Sequence, residues 1–376
     1  MNFDYDLEQQ QLANALRRFL ANEYDFAART RILASGNGHS PPVWTGLAEI
    51  GLLALPLPEE YDGFGGGMVD MMNVMEALGE ALVVEPYLAT LGLGAQFVLR
   101  AGSDEQKRAI LPAVAAGELK LAFAHLERDA RYDLAYCATS ARRSGAGWQL
   151  DGAKSVVLHG ACADLLVVTA RVEGETDAEH GLCLFLVPAN TPGVTLREFH
   201  TADDLPGADI RFDRVVLAPD ALLGHAGQAL PLVEEVVDYA TALLCAEAVG
   251  VLRLAYQSTL EFLKTRKQFG VAIGSFQAVQ HRMVDLFIDL EQAQSMACLV
   301  CARMDAGLDT AERRRLVSAA KIRIADACRR SSQETVQLQG AMGMSDEMMI
   351  SHAHRRLTMI AQQFGDAEHH LERFAD

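Results

Sequence analysis

Glu247 lies inside the run ATALLCAEAVGVL and is the only acidic residue in that apolar part of its predicted helix. Burying a carboxylate is costly unless it is paired or held protonated. Two readings follow: a proton acceptor for a substrate, or half of an ion pair, for instance with an arginine of a neighbouring subunit. Near the C-terminus, QQFGDAEHH places Asp366 beside Gly365. An aspartate at such a break serves most often as a helix N-cap or a solvated turn residue. A mobile turn is also a hard place from which to hold a proton acceptor against a carbon atom. Of the two, Glu247 is the stronger candidate base.

Other clusters carry less chemistry. GFGGG at 63–67 follows LPLPEEYD rather than a strand, so it reads as a flexible loop and not as a phosphate cradle at a helix start. His352 and His354, and the adjacent His369 and His370, point to different helix faces, which favours hydrogen-bonded or solvated rings over metal ligands. Seven scattered cysteines, with no repeated metal knuckle, read as reduced and mostly buried thiols. In EFLKTRKQFGVAIGSFQAVQHRMVD a predicted helix ends at Arg266 and Lys267, and Phe269 and Gly270 follow. Basic residues there ordinarily answer the helix dipole.

The elements that must position these residues are legible from hydrophobic period. Leu12, Leu16 and Leu20 lie four apart, and VDMMNVMEALGEALVVE repeats at three and four, so 1–120 reads as helical. Runs such as SVVLHG, DLLVVTARV, GLCLFLVP and IRFDRVVL make 121–223 a small antiparallel β domain. Phe276, Val279, Met283, Leu286, Phe287 and Leu290 restore the helical period, so 224–376 reads as a helical bundle. Helices, sheet, helices is not a βαβ alternation, which argues against a Rossmann or P-loop enzyme. The 376 residues are half hydrophobic, enough for a large core. Fifty acidic side chains against 33 basic ones give a net charge of −17, which disfavours nucleic acid and anionic membrane surfaces as partners. An acidic start without a basic, then apolar, leader and the lack of a spanning apolar run imply a soluble cytoplasmic protein.

RKQFG, QETVQLQGAMGM and RRLTMIAQQFGDAEHH occur in that order with long helices between them, and PEEYDGFGGG and WQLDGAKSVVLHGACADLLVVTA precede them. Together they resemble the acyl-CoA dehydrogenase family over nearly the whole chain, and in particular the small subunit of pimeloyl-CoA dehydrogenase. The resemblance implies a mainly α fold with a central β-barrel or sandwich domain between an N-terminal helical domain and a C-terminal four-helix bundle. It implies FAD at an interface of a homodimer or of a heterotetramer with a larger subunit, an acyl-CoA substrate, and electron-transfer flavoprotein or a similar acceptor. By position, Arg266, Phe269 and Gln277 would reach a flavin held mainly by a neighbouring subunit. Gln337, Gly340 and Gly343 would let backbone approach it, and His125, Leu126 and Val157 would lie against its ring. Guanidinium suits phosphate oxygens, and glycine removes a blocking Cβ.

Several positions depart from the family pattern. Ala341 replaces a usual glycine, and Leu126 and Leu158 replace hydroxyl residues worth about 1 kcal/mol each in hydrogen bonding. The family's usual base, a glutamate after an aromatic, aligns with Gly365, one residue before Asp366. Ala240 fills the alternative base position, and Glu247 is seven residues, nearly two turns, further on the same face. Three functions are compatible with this: a dehydrogenase subunit of a heteromer, a structural subunit completing a partner's flavin site, and a related flavin oxidase or monooxygenase.

Overall fold

The computed structural model describes residues 7–36 and 38–375, so the acidic start at 1–6 lies outside the described residues. Helices α1 (Leu7–Glu23), α2 (Phe26–Ala34), α3 (Pro41–Glu49), α4 (Met68–Glu80), α5 (Ala95–Ala101) and α6 (Asp104–Ala115) come first. Strands β1 (Leu121–Ala124), β2 (Ser140–Ser144), β3 (Gly147–Leu158), β4 (Leu165–Arg171), β5 (Leu182–Pro188), β6 (Val194–His200), β7 (Pro206–Leu217) and β8 (Leu222–Leu223) follow. Helix α7 (Leu230–Thr265) leads to a hairpin, β9 (Lys267–Gln268) and β10 (Val271–Ala272). Then come α8 (Gln277–Asp305), α9 (Thr310–Gln339), α10 (Met349–Gln362) and α11 (Ala367–Ala375). No helix among the described residues is long and apolar enough to cross a membrane.

Two compact units result, and they interleave along the chain. Among the described residues, a bundle unit comprises those up to Thr30, Gly67–Val83 and those from Thr241 on, and a sheet unit comprises those from Arg31 to Gly66 and Val84–Ala240. Residues 67–83 join the bundle because α4 is fastened to it. Gly250 on α7 lets α4 approach so closely that a Cβ there would lie 2.0 Å from Glu76 O, and a Cβ at Gly79 would lie 2.2 Å from Glu247 O. At the head of α4, the carboxylate of Asp305 accepts the N–H groups of Met68 and Val69 at 2.6 and 3.0 Å. A carboxylate therefore occupies the helix start after GFGGG, which is no phosphate site. Nor is that loop slack: the N–H groups of Gly65 and Gly66 donate to Leu57 O and Leu55 O, both at 2.8 Å.

In the sheet unit the strand order is β6-β7-β3-β2-β4-β5-β8, with β1 alongside β4. Its core gathers Trp148, Leu150, Leu166, Val168, Phe185 and Phe212. The sheet is mixed where the sequence predicts it antiparallel, because β1 arrives from α6 and pairs β4 in parallel, with Leu121 opposite Leu165. Buried charges are fully engaged here. The Arg171 guanidinium donates to the carbonyls of Ala135, Cys137, Thr176, Ala178 and His180. The seven cysteines are free thiols, and five of them are buried.

Glu85 is the exception, since no cation contributes to its titration. It is buried, its two oxygens share the Ser40 N–H at 3.0 and 3.2 Å, and burial pushes its pKa from 4.5 up to about 8 against the opposing effect of that hydrogen bond. The folded chain thus holds this proton more tightly than the unfolded chain does. Its contribution to stability is complete below pH 4.5 and declines as pH rises toward 8. Chemical unfolding across that window should show a loss of up to about 1.4 kcal/mol per pH unit. Glu85→Gln, which keeps the Ser40 hydrogen bond, should flatten it.

Candidate active site

One end of the bundle collects most of the predicted cofactor residues. Leu263, Met283, Leu286 and Leu338 form a buried cluster, with Tyr256, Phe262 and Ile273 packed on it, so the end of α7, the start of α8 and the end of α9 meet there. Gln339 Nε2 donates to Thr259 Oγ1 at 3.0 Å and ties α9 to α7. Arg266, Gln277, Gln337 and Gly340 are exposed at this end. Phe269 occupies the hairpin tip at φ 54°, is 90% exposed, and meets Phe276 edge-on with ring centroids 6.2 Å apart. Phe269 and Gly270 both take positive φ because they form the two-residue turn between the paired Gln268 and Val271. The two glycines differ in purpose. Gly340 needs its φ of +65°, with open space around a Cβ, whereas a Cβ at Gly343 would press on Val336 at 3.0 Å.

At the sheet, His125 is buried and Leu126 half-buried, with Leu126 O accepting the Ser155 N–H at 2.8 Å. The Val157 side chain cannot lie against a ligand. It is 1% exposed and belongs to the sheet core. A register shift between Lys154 and Val157 turns it inward and leaves Val156 outside, 41% exposed at φ 52°, with its N–H donating to Asp209 Oδ1 at 3.2 Å. Strand alternation alone gave no sign of that bulge.

Both candidate bases are occupied. Glu247 accepts from Arg356 Nε at 2.5 Å and from Arg356 NH2 at 2.8 Å, and both residues are buried. The expectation of a base at Glu247 is therefore corrected to an ion pair, made within this chain rather than across subunits, and it joins α7 to α10. Asp366 caps α11, with its Oδ1 accepting the His369 N–H at 2.9 Å. Gly365 is closed to any side chain. It sits at φ +116°, and a Cβ would lie 2.5 Å from His369 Cδ2 and 2.7 Å from His370 Nε2. Lys321 Nζ fixes the same segment by donating to Gly365 O at 2.6 Å and Ala361 O at 3.3 Å. His370 adds Nε2–H to Phe364 O at 3.1 Å, and burial pushes its pKa down to about 3. Among the described residues, no group of histidine, cysteine or carboxylate could hold a metal ion.

Three family profiles cover the chain in order: acyl-CoA dehydrogenase N-terminal domain over residues 6–118, middle domain over 122–215 and C-terminal domain over 229–376. The chain belongs to the acyl-CoA dehydrogenase family. Acyl-CoA dehydrogenase FadE12 of Mycobacterium tuberculosis is 29% identical over 369 residues, 95% of this chain and 93% of that protein. Among solved structures, PigA with FAD and proline superposes with a TM-score of 0.91 at 26% identity, covering 100% of this chain and 98% of that one. A variant of the Tcur3481–Tcur3483 steroid acyl-CoA dehydrogenase gives 0.88 at 27% identity, covering 98% and 97%.

This acyl-CoA dehydrogenase is thus a flavoprotein oxidoreductase acting on acyl-CoA, with FAD as cofactor. The exposed residues at the bundle end fit that cofactor: a guanidinium for phosphate oxygens, amide side chains, and an exposed aromatic at the hairpin tip. What sequence reasoning missed were partners distant in the chain. Arg356 lies 109 residues from Glu247, and the interior Lys154 lies 27 from Glu127.

Two outcomes test these assignments. Glu247→Gln removes the negative charge that faces the buried Arg356 guanidinium and should cost about 3–5 kcal/mol in chemical unfolding. The double change Glu247→Leu with Arg356→Met should recover most of that loss. Arg266→Ala should lower the FAD content retained after dialysis and leave the unfolding temperature unmoved, because the side chain is exposed.

Proposed function

We propose that this chain is one subunit of a heteromeric acyl-CoA dehydrogenase, in which it helps to hold FAD while a companion subunit supplies the catalytic carboxylate. The observation that carries the proposal is the segment 364–366. Where the family resemblance implies a glutamate, Gly365 has no room for a Cβ, and Lys321, His370 and the Asp366 cap hold the backbone in that closed form. The Glu247 carboxylate is held on both oxygens by the Arg356 guanidinium, as half of an ion pair. Arg266, Gln277 and Gln337 would help to hold FAD, whose chemistry, when bound, would be that of a hydride acceptor for α,β-dehydrogenation of the thioester, with a carboxylate as the acceptor of the α proton. This chain's part is to place guanidinium and amide groups around the cofactor and to exclude water from it. Electron-transfer flavoprotein or a similar acceptor would reoxidise the flavin.

A relative named for two chains, Tcur3481–Tcur3483, supports the heteromer. The dicarboxylic acyl chain implied by the pimeloyl-CoA resemblance draws no support from these relatives, whose names speak of acyl-CoA, steroid and proline. Leu126 and Leu158, which replace hydroxyl groups, favour a second reading in which the chain completes a partner's flavin site without turnover of its own. The purified chain, assayed on a panel of acyl-CoA thioesters with an artificial electron acceptor, should turn over slowly or not at all. Co-purification with a larger companion subunit should restore turnover. Full activity from the chain alone would sink the proposal.

A further inference from the structure

The sheet unit contains a sequence of hydrogen bonds with only one possible direction. Lys154, fully buried, aims its ammonium at Glu127 Oε1 (2.6 Å), Thr169 Oγ1 (2.9 Å) and Cys137 Sγ (3.4 Å), so all three N–H groups are used. Glu127 also accepts the N–H groups of Ala138 and Thr139 at 2.8 and 3.0 Å. Burial alone would raise its pKa, but the Lys154 charge and these hydrogen bonds hold it below the usual value, so the pair is ionised.

The Thr169 oxygen accepts from a cation, and its own proton needs an acceptor. Among the described contacts that acceptor is His125 Nδ1, at 3.1 Å. The imidazole proton must then sit on Nε2. Burial, helped by the Lys154 charge, pushes the ring's pKa down to about 3, which keeps it neutral at physiological pH. The ring lies 4° from parallel to Phe123 with centroids 5.2 Å apart, so its plane is set. The ring's described hydrogen bond is the one at Nδ1, and the side chain keeps 7% exposure, so Nε2–H is left to meet a group outside the described residues.

We propose that the Lys154–Thr169–His125 chain presents a neutral imidazole Nε2–H to an acceptor on the flavin ring that gains electron density without gaining a proton on reduction, such as a ring carbonyl oxygen, and so favours reduced over oxidised flavin. The proposal rests on the flavin reading and deepens it. Reduction places electron density on the heteroatom edge of the ring, and a fixed donor in a low-dielectric site stabilises that density without reorganising. His125 is the contacting residue, and Thr169 and Lys154 are positioning residues.

The test uses the FAD-loaded protein and three variants: His125→Leu, which keeps the packing and removes the donor; His125→Gln, which restores an N–H; and Thr169→Val, which cuts the relay. Flavin midpoint potentials read the ratio of affinities for reduced and oxidised FAD. His125→Leu and Thr169→Val should lower that ratio about tenfold, or about 30 mV for a two-electron couple, and His125→Gln should return most of it. Imidazole nitrogen chemical shifts in the wild type should report the Nε2–H form, unchanged from pH 5 to 8. An unaltered potential in folded, FAD-loaded His125→Leu overturns the proposal, and so does an Nδ1–H tautomer in the wild type. A wild-type chain that takes up no FAD overturns the flavin reading itself, a result separable from either of those.

Discussion

A single ammonium group inside the sheet unit sets the terms for the structure around it. Lys154 has no exposure, and an unpaired charge at that depth would cost several kcal/mol. Its presence requires a carboxylate on the loop after β1, a hydroxyl on β4 and a thiol at residue 137, each with the right side chain turned inward. Glu127, once recruited, takes two backbone N–H groups and so fixes the path of the chain into β2. One charge thereby specifies the geometry of three segments. Arg171 does similar work on the adjoining loops through carbonyl oxygens alone.

The bundle unit follows the same rule with different partners. Lys321 is buried among helices and meets one carbonyl oxygen in the last turn of α10 and one just after it, and burial lowers its pKa. Arg356 finds Glu247. These contacts immobilise the place where proton abstraction would be expected, and they do so with backbone conformation as well as charge: Phe364 and Gly365 both adopt positive φ. Function and stability therefore compete for the same few residues. In this chain the arrangement favours a closed, well-packed turn.

How far the sequence foretold this depends on distance along the chain. Periodicity sufficed for the long helices, because each face is written locally in residues three and four apart. The family resemblance carried by RKQFG and QLQGAMG grouped Arg266, Phe269 and Gln337, and the three are exposed at one end of the bundle, where the ends of α7 and α9 meet. Val157 went the other way: a one-residue slip at a bulge exchanges the inside and outside of a strand, and nothing in SVVLHG announces it. Glu247 was recognised as anomalous, but its partner could not be named from 109 residues away. Gly365 showed that a carboxylate was missing. Only the packing of His369 and His370 shows that none could be put back.

The interleaving of the two units bears on synthesis. Residues 67–83 and α1 pack on one another, but the rest of their unit begins at residue 241, whereas the sheet unit is complete at residue 240. On a ribosome adding about 5–20 residues per second, α4, with Met68, Met71, Met72, Val74, Met75 and Leu78 all destined for the interior, waits on the order of ten seconds for the bundle that will cover it. During that interval a methionine-rich amphipathic segment is tethered to a domain free to fold before it. The vulnerable phase of this protein's life is therefore set by the order in which its segments emerge, and a holding chaperone has a defined stretch of chain and a defined time in which to act.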